Sequence, residues 1–182
     1  MALSQPVPRR LTRAEYDRMI ALGFFHGERL ELIRGSLIST PPIGPPHAKT
    51  VSRLNRLLLP RLMGRADVRI QQPLIAHDES EPEPDVSVVP LGDYGASHPD
   101  KAFLVIEVAE SSLATDRDLK VPLYALSNVA EYWIVDLSAA AVEVYRQPRG
   151  NGYGVVQRVE RGGNLTVVAF ADVTLAVSEI LA

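Results

Sequence analysis

No cysteine occurs in the 182-residue sequence, so the chain can form no disulfide framework, no thiolate metal site and no cysteine nucleophile. Histidine is nearly as scarce, and His26, His47, His77 and His98 lie too far apart for any short zinc motif. No uninterrupted apolar run approaches the roughly 18 residues that span a bilayer. The N-terminal MALSQPVPRR also lacks the apolar core of a secretory signal. A cytoplasmic protein with no membrane association is expected. Low-complexity tracts and internal repeats are missing too, and 46 % apolar with 23 % charged residues is ordinary for a folded chain. A chain of this length buries roughly 70 % of its unfolded surface in one core and is short for two. Residues 1–182 are therefore predicted to form a single domain, with residues 1–11 as a flexible N-terminal arm.

What is present is unevenly distributed. Residues 1–65 hold 11 Lys/Arg against 4 Asp/Glu, whereas residues 66–182 hold 8 against 18, within a net charge of −3. A basic surface for phosphates beside an acidic site for cations is one reading, and mutual neutralisation of the two halves in the fold is the plainer one.

Thr12 and Glu15 have capping-box spacing, which predicts a helix from about Arg13 to Leu22 that stops at Gly23. In RLELIRGSLIST the apolar residues alternate around Arg34-Gly35, predicting a hairpin with Glu31 facing away from Leu30 and Leu32. PPIGPP forces a loop, and His47 opens a longer helix to about Met63. Val51, Leu54, Leu58 and Leu62 form its core stripe, with Lys49, Arg53 and Arg56 opposite. Strands are then predicted at VRIQQPLIA, VSVVP and AFLVIEVA. TDRDLKVPLYALSN reads as a helix with Leu119, Leu123 and Leu126 on one face, kinked or begun at Pro122 and ended by Asn128. Further strands follow at AEYWIVDL, AVEVYRQP, GVVQRVE and LTVVA. The order predicts an α/β fold around a central mixed sheet.

Two carboxylates stand out. In AFLVIEVA, Leu104, Ile106 and Val108 share one face, and Phe103, Val105, Glu107 and Ala109 the other. A carboxylate in mid-strand needs a partner, because an unpaired buried charge costs several kcal/mol or is forced to protonate. That partner is either an arginine or backbone donor, or a hard divalent cation. Asp85 opens PDVSVVP, either capping the preceding turn or joining Glu107 across adjacent strands at one cation. Magnesium suits such a pair, since it takes one or two protein carboxylates and keeps positions open for water and phosphate oxygens. Lys120 can reach back from the following helix, or pair with Asp116 four residues earlier as an ordinary surface ion pair.

The segments EPDVSVV, FLVIEVAES, TDRDLKVPLYA and VAEYWIVDL, preceded by RLELIRGSLI and PPIGPPH, together resemble the Uma family of putative restriction endonucleases within the PD-(D/E)XK nuclease superfamily. The likeness runs from about residue 12 to 147 and rests on order and spacing. It implies a restriction endonuclease-like fold, a central mixed sheet flanked by helices. Asp85 and Glu107 are then the magnesium ligands, with Glu31 as a third acidic ligand and Mn²⁺ as a possible substitute ion. The superfamily's lysine two residues after the glutamate is replaced here by Ala109, and Lys120 is the displaced counterpart. Asp116, Tyr124, Glu131 and Tyr132 also match. Of these, Asp116 is read as helix-capping or lysine-orienting, and Tyr124, like Trp133, as a core aromatic. His47 is read as helix-starting or substrate-contacting, and Lys49, Arg53 and Arg56 as phosphate contacts or a solvated face.

The expected function is a magnesium-dependent endonuclease acting on DNA, with Asp85, Glu107 and Lys120 catalytic. A homodimer is expected by resemblance, and no small-molecule cofactor. Ala109 and the modest charge motivate the alternative of a catalytically inactive nucleic-acid-binding module. A metal-free sheet with Glu107 paired to an arginine is a third, purely structural reading.

Overall fold

Thr12 and Glu15 cap each other as their spacing predicts. The Thr12 side chain accepts from the Glu15 amide, and the Glu15 carboxylate accepts from the Thr12 amide at 3.0 Å, opening α1 (Arg13–Ala21) in the computed structural model, which describes residues 7–181. The first six residues of the expected arm lie outside the described residues. Its end is attached, because Leu11 N donates to Gly35 O at 3.0 Å.

The hairpin β1 (Leu30–Ile33) and β2 (Ser36–Ser39) turns at Arg34 and Gly35, whose φ values of 49° and 74° are the left-handed pair of a tight hairpin turn. Gly35 is needed twice over, because a Cβ there would also lie 2.4 Å from Cβ of Arg10. Helix α2 (Pro45–Leu62) starts two residues before the expected His47. Proline lacks the N–H that a first helical turn leaves unbonded anyway, so Pro45 and Pro46 belong inside the helix and not to the loop. Val51, Leu54, Leu58 and Leu62 are buried, as their spacing predicts.

The central sheet runs β3 (Asp67–Ile70), β4 (Val86–Val89), β5 (Leu104–Ala109), β6 (Glu131–Asp136), β7 (Ala141–Arg149), β8 (Gly152–Glu160) in spatial as well as chain order. Every pairing is antiparallel except β5 with β6, so the sheet is mixed, with helices on both faces. The parallel pair needs a crossover, formed by α3 (Leu113–Thr115), a π-helical turn (Asp116–Lys120) and α4 (Val121–Leu126). A small hairpin, β9 (Asn164–Val167) and β10 (Phe170–Ala176), and α5 (Val177–Ile180) end the described chain.

One face of β5, with Leu104, Ile106 and Val108, packs on the α2 stripe, and the other, with Val105 and Ala109, packs on Tyr124 and Tyr132. Three expectations are corrected. Phe103 precedes the strand and packs with the first cluster against Phe170, ring centroids 5.3 Å apart. β3 ends at Ile70 because Gln71 adopts a left-handed φ of 49°. The wider π turn moves the helical face, so Leu126 is exposed while Asp116 and Lys120 point inward.

Candidate active site

The register of β4 on β5 decides the geometry. Val86 lies opposite Ile106, so Asp85, one residue before, falls opposite Glu107. The Asp85 amide points to Glu107 Oε2 at 3.4 Å, and Asp85 Oδ2 accepts from the Val108 amide at 2.9 Å. Both carboxylates are buried. Glu31 joins them from β1, where alternation turns it away from Leu30 and Leu32. Its strand neighbour Leu32 is tied to Glu81 by an isolated bridge.

The π turn delivers the ammonium. Lys120 Nζ donates to Glu107 Oε1 at 2.9 Å and lies 3.3 Å from Glu31 Oε2 and 4.0 Å from Asp116 Oδ1. Asp116 and Lys120 are therefore a buried pair and not the ordinary surface pair that their spacing also allowed. With about one extra residue per turn, the π segment places two side chains four apart on the sheet-facing side. On its outer side Arg117 forms a bidentate pair with Glu143 of β7, which anchors the turn. Tyr124 OH donates to Glu107 Oε1 at 3.0 Å, so this core aromatic also serves the site.

His47 sits in the first turn of α2, yet no side-chain bond caps that helix. Its Nε2 lies 2.9 Å from Asp85 Oδ2, and Gln71 Nε2 donates to Asp85 Oδ1 at 3.2 Å. Lys49 and Arg56 are exposed and Arg53 half-buried on the outer face of α2, away from the core stripe. The structure thus brings Glu31, His47, Asp85, Glu107 and Lys120 to one cavity of about 260 Å³ and leaves the three other basic residues outside its lining. Sequence reasoning missed Gln71, Glu83 and Glu110, which also line it. For Glu83 the Glu-Pro-Glu-Pro-Asp run was the available signal. For Gln71, whose side chain reaches Asp85 only because the strand breaks there, there was none.

Electrostatics follow from burial and crowding. Burial pushes the Glu107 carboxyl well above its ordinary range; Lys120 pulls it back, while Asp85, Asp116 and Glu31 push it further up. Burial alone would lower the Lys120 ammonium, but Glu107, Glu31 and Asp116 outweigh it and hold it charged, above the usual lysine value. Asp116 is raised by burial despite Lys120 and its bond from Ser112. Among the described residues no three His, Asp or Glu side chains converge as ready metal ligands. Lys120 instead stands between Glu31 and Glu107. The donor set still fits a hard cation, being oxygen-rich and acidic, and Glu31 Oε2 is buried without a hydrogen bond.

Comparison with known proteins agrees with this architecture. No curated protein sequence matches the chain significantly. Among solved structures, the chain is similar to a putative nuclease belonging to DUF820 from Anabaena variabilis ATCC 29413, with a TM-score of 0.69 at 18 % identity over 94 % of this chain and 97 % of that one. At that identity the likeness establishes the fold alone. Residues 13–178 match the Uma2 family, described as "Putative restriction endonuclease", and a match over so much of the sequence means that the chain belongs to the Uma2 family.

Proposed function

We propose that the protein is a magnesium-dependent endonuclease that hydrolyses phosphodiester bonds of DNA, with Asp85, Glu107 and Glu31 holding the ion and Mn²⁺ able to replace it. One observation carries this reading. Carboxylates from β1, the start of β4 and β5 meet in one cavity with an ammonium from the crossover, although 89 residues separate Glu31 from Lys120. A bound divalent ion would supply charge neutralisation at the phosphate and make water a better nucleophile.

The chain's own groups do the rest. Asp85 is fixed by three donors, the Val108 amide, Gln71 and His47, so its carboxylate is oriented before any ligand arrives. Tyr124 and Lys120 both bond Glu107 Oε1, which leaves Oε2 turned towards Asp85. Lys120 keeps its proton against the carboxylates and can present it to a phosphate oxygen or orient the attacking water. His47 lines the cavity beside Asp85, and Lys49, Arg53 and Arg56 on the same helix suit more distant phosphates. A homodimer would let two such sites cut both strands of a duplex.

The test is divalent-ion titration by calorimetry with a supercoiled-plasmid nicking assay on wild type, Glu107→Gln and Asp85→Asn. Wild type should bind the ion and nick, and both variants should lose each property. Ion binding and nicking that survive in Glu107→Gln would defeat the assignment. The pairing of Lys120 with Glu31 and Glu107 favours a second reading, a domain that binds nucleic acid without turnover. It requires salt-sensitive DNA binding with no nicking in magnesium or manganese.

A further inference from the structure

A second cavity, of about 400 Å³, lies between α1 and the segment leading into β1. Tyr16, Phe25, His26 and Gly27 line it, and it shares Arg29 and Glu83 with the active-site cavity. The two are therefore adjacent, with Arg29 and Glu83 at their junction. Its volume falls in the range of roughly 300–1,000 Å³ that holds small organic groups. Its aromatic wall is the Tyr16–Phe25 pair, with ring centroids 6.0 Å apart and planes tilted by 31°. Tyr16 is the fixed member, buried and bonded through its hydroxyl to Leu30 O at 2.8 Å, while Phe25 is half-buried and keeps part of its ring open.

Charge separates the possible occupants. Glu28 and Glu83 line this cavity, Glu83 making no side-chain hydrogen bond among the described residues, and two carboxylates repel a phosphate. They do suit the exocyclic amino group of a nucleobase, which carboxylates accept from readily. Arg29, exposed at the junction, suits the phosphate that precedes such a base. A base within a duplex cannot enter a side cavity of this kind, because it must first leave its stack.

We propose that this cavity is a subsite for one unpaired nucleobase bearing an exocyclic amino group, next to the phosphate at the Asp85–Glu107–Lys120 site. The preferred substrate is accordingly a strand with at least one unpaired nucleotide. The inference rests on the nuclease reading and names its substrate class. Phe25 provides the stacking surface, Arg29 the phosphate contact and Glu83 the acceptor for the amino group.

The experiment measures binding without turnover. Fluorescence anisotropy with Ca²⁺ in place of magnesium compares end-labelled 12-nucleotide DNA strands rich in cytosine or thymine with the corresponding duplex, and 2-aminopurine placed along the strand reports stacking. Single strands should bind at least tenfold more tightly than duplex, cytosine ahead of thymine, with 2-aminopurine quenched at one position. Phe25→Ala should weaken single-strand binding by about 5- to 150-fold, as loss of one stacked base does, and abolish the quenching, with duplex binding unchanged. If Phe25→Ala melts abnormally, Phe25→Leu keeps the packing without the ring and should show the same loss. Arg29→Ala, at an exposed position, should weaken binding and make its salt dependence shallower by about one phosphate contact. Equal affinity for duplex and single strand, or a correctly folded Phe25 variant that binds and quenches like wild type, overturns the subsite. Failure to nick plasmid would defeat the nuclease reading and leave this binding result intact. Nicking of duplex with no single-strand preference would defeat the subsite alone.

Discussion

Glu131 shares the family pattern with the site residues but does different work, and replacing it separates structure from chemistry. Its carboxylate is fully buried. Oε1 accepts from Arg146 Nε at 2.8 Å, Arg146 Nη2 at 2.7 Å and Trp133 Nε1 at 2.9 Å, and Oε2 accepts from the Val168 amide at 2.7 Å. One side chain thus ties β6 to β7 and to the β9–β10 hairpin. Glu131→Ala leaves a guanidinium, an indole N–H and a backbone N–H short of an acceptor. Breaking a buried ion pair from one side costs about 3–5 kcal/mol. The Arg146 side chain remains 26 % exposed and bonded to Thr166 O, so water recovers part of its loss and the lower end, about 3 kcal/mol, is expected. At about 2–4 °C per kcal/mol for a chain of this size, the melting temperature should fall by roughly 6–12 °C. Urea titration followed by the emission of Trp133, the single tryptophan, reads the change. Arg146→Met in the Glu131→Ala background should cost far less than Arg146→Met alone, because the two share one interaction. A loss below about 1 kcal/mol in Glu131→Ala, or strict additivity in the double variant, would refute the reasoning. Divalent-ion affinity should survive in the folded fraction.

Burial, with help from Asp17, pushes the Glu81 carboxyl from an ordinary 4.5 up to about 7. Its contribution is therefore fully present below about pH 4.5 and is lost as pH rises through 7, a span worth about 3 kcal/mol. Glu81→Gln should be neutral at pH 4 and stabilising by about 2–3 kcal/mol at pH 8 in paired urea titrations, and equal effects at both would contradict this. Gly35→Ala should cost about 1–2 kcal/mol for its left-handed backbone and release the segment around Arg10, so trypsin should cut after Arg9 or Arg10 faster than in wild type. Leu54→Ala, at a fully buried position of α2, should lose about 2–5 kcal/mol. Lys120→Met should abolish nicking while keeping or raising ion affinity, since the ammonium competes for the same carboxylates, and calorimetry would expose a fall instead.

The sheet was legible because its signals are local. Alternation in AFLVIEVA gave that strand and the faces of Leu104 to Ala109, the short run VSVV gave its neighbour, and the Asp85–Glu107 juxtaposition followed once a hairpin-like neighbour relation was assumed. The hairpin was legible for the same reason, from alternation on both sides of Arg34-Gly35. The π turn was not. An extra residue in a helical turn leaves no mark on composition, so spacing alone left Lys120 and Asp116 open to a surface pair, only the family resemblance drew Lys120 to the site, and Leu126 read as core. His47 was placed on the right element without its partner Asp85, because what it touches is decided by how α2 crosses the sheet. Tyr124 was recognised as core from its apolar body, and its hydroxyl's target was invisible for want of a register between the crossover and β5.

Among the described residues, the π turn sits on the only crossover that joins parallel strands, between β5 and β6. Lys120 can face Glu107 only after that connection has closed over the sheet, and Glu31 arrives from a hairpin still earlier in the chain. No fragment assembles the constellation by itself, so whatever fills it recognises the finished fold and not its precursors. Saturation at a hundred times Kd then adds about 2.7 kcal/mol to the unfolding free energy. On the proposed function, melting curves recorded with saturating divalent ions and with chelator would therefore describe two different equilibria.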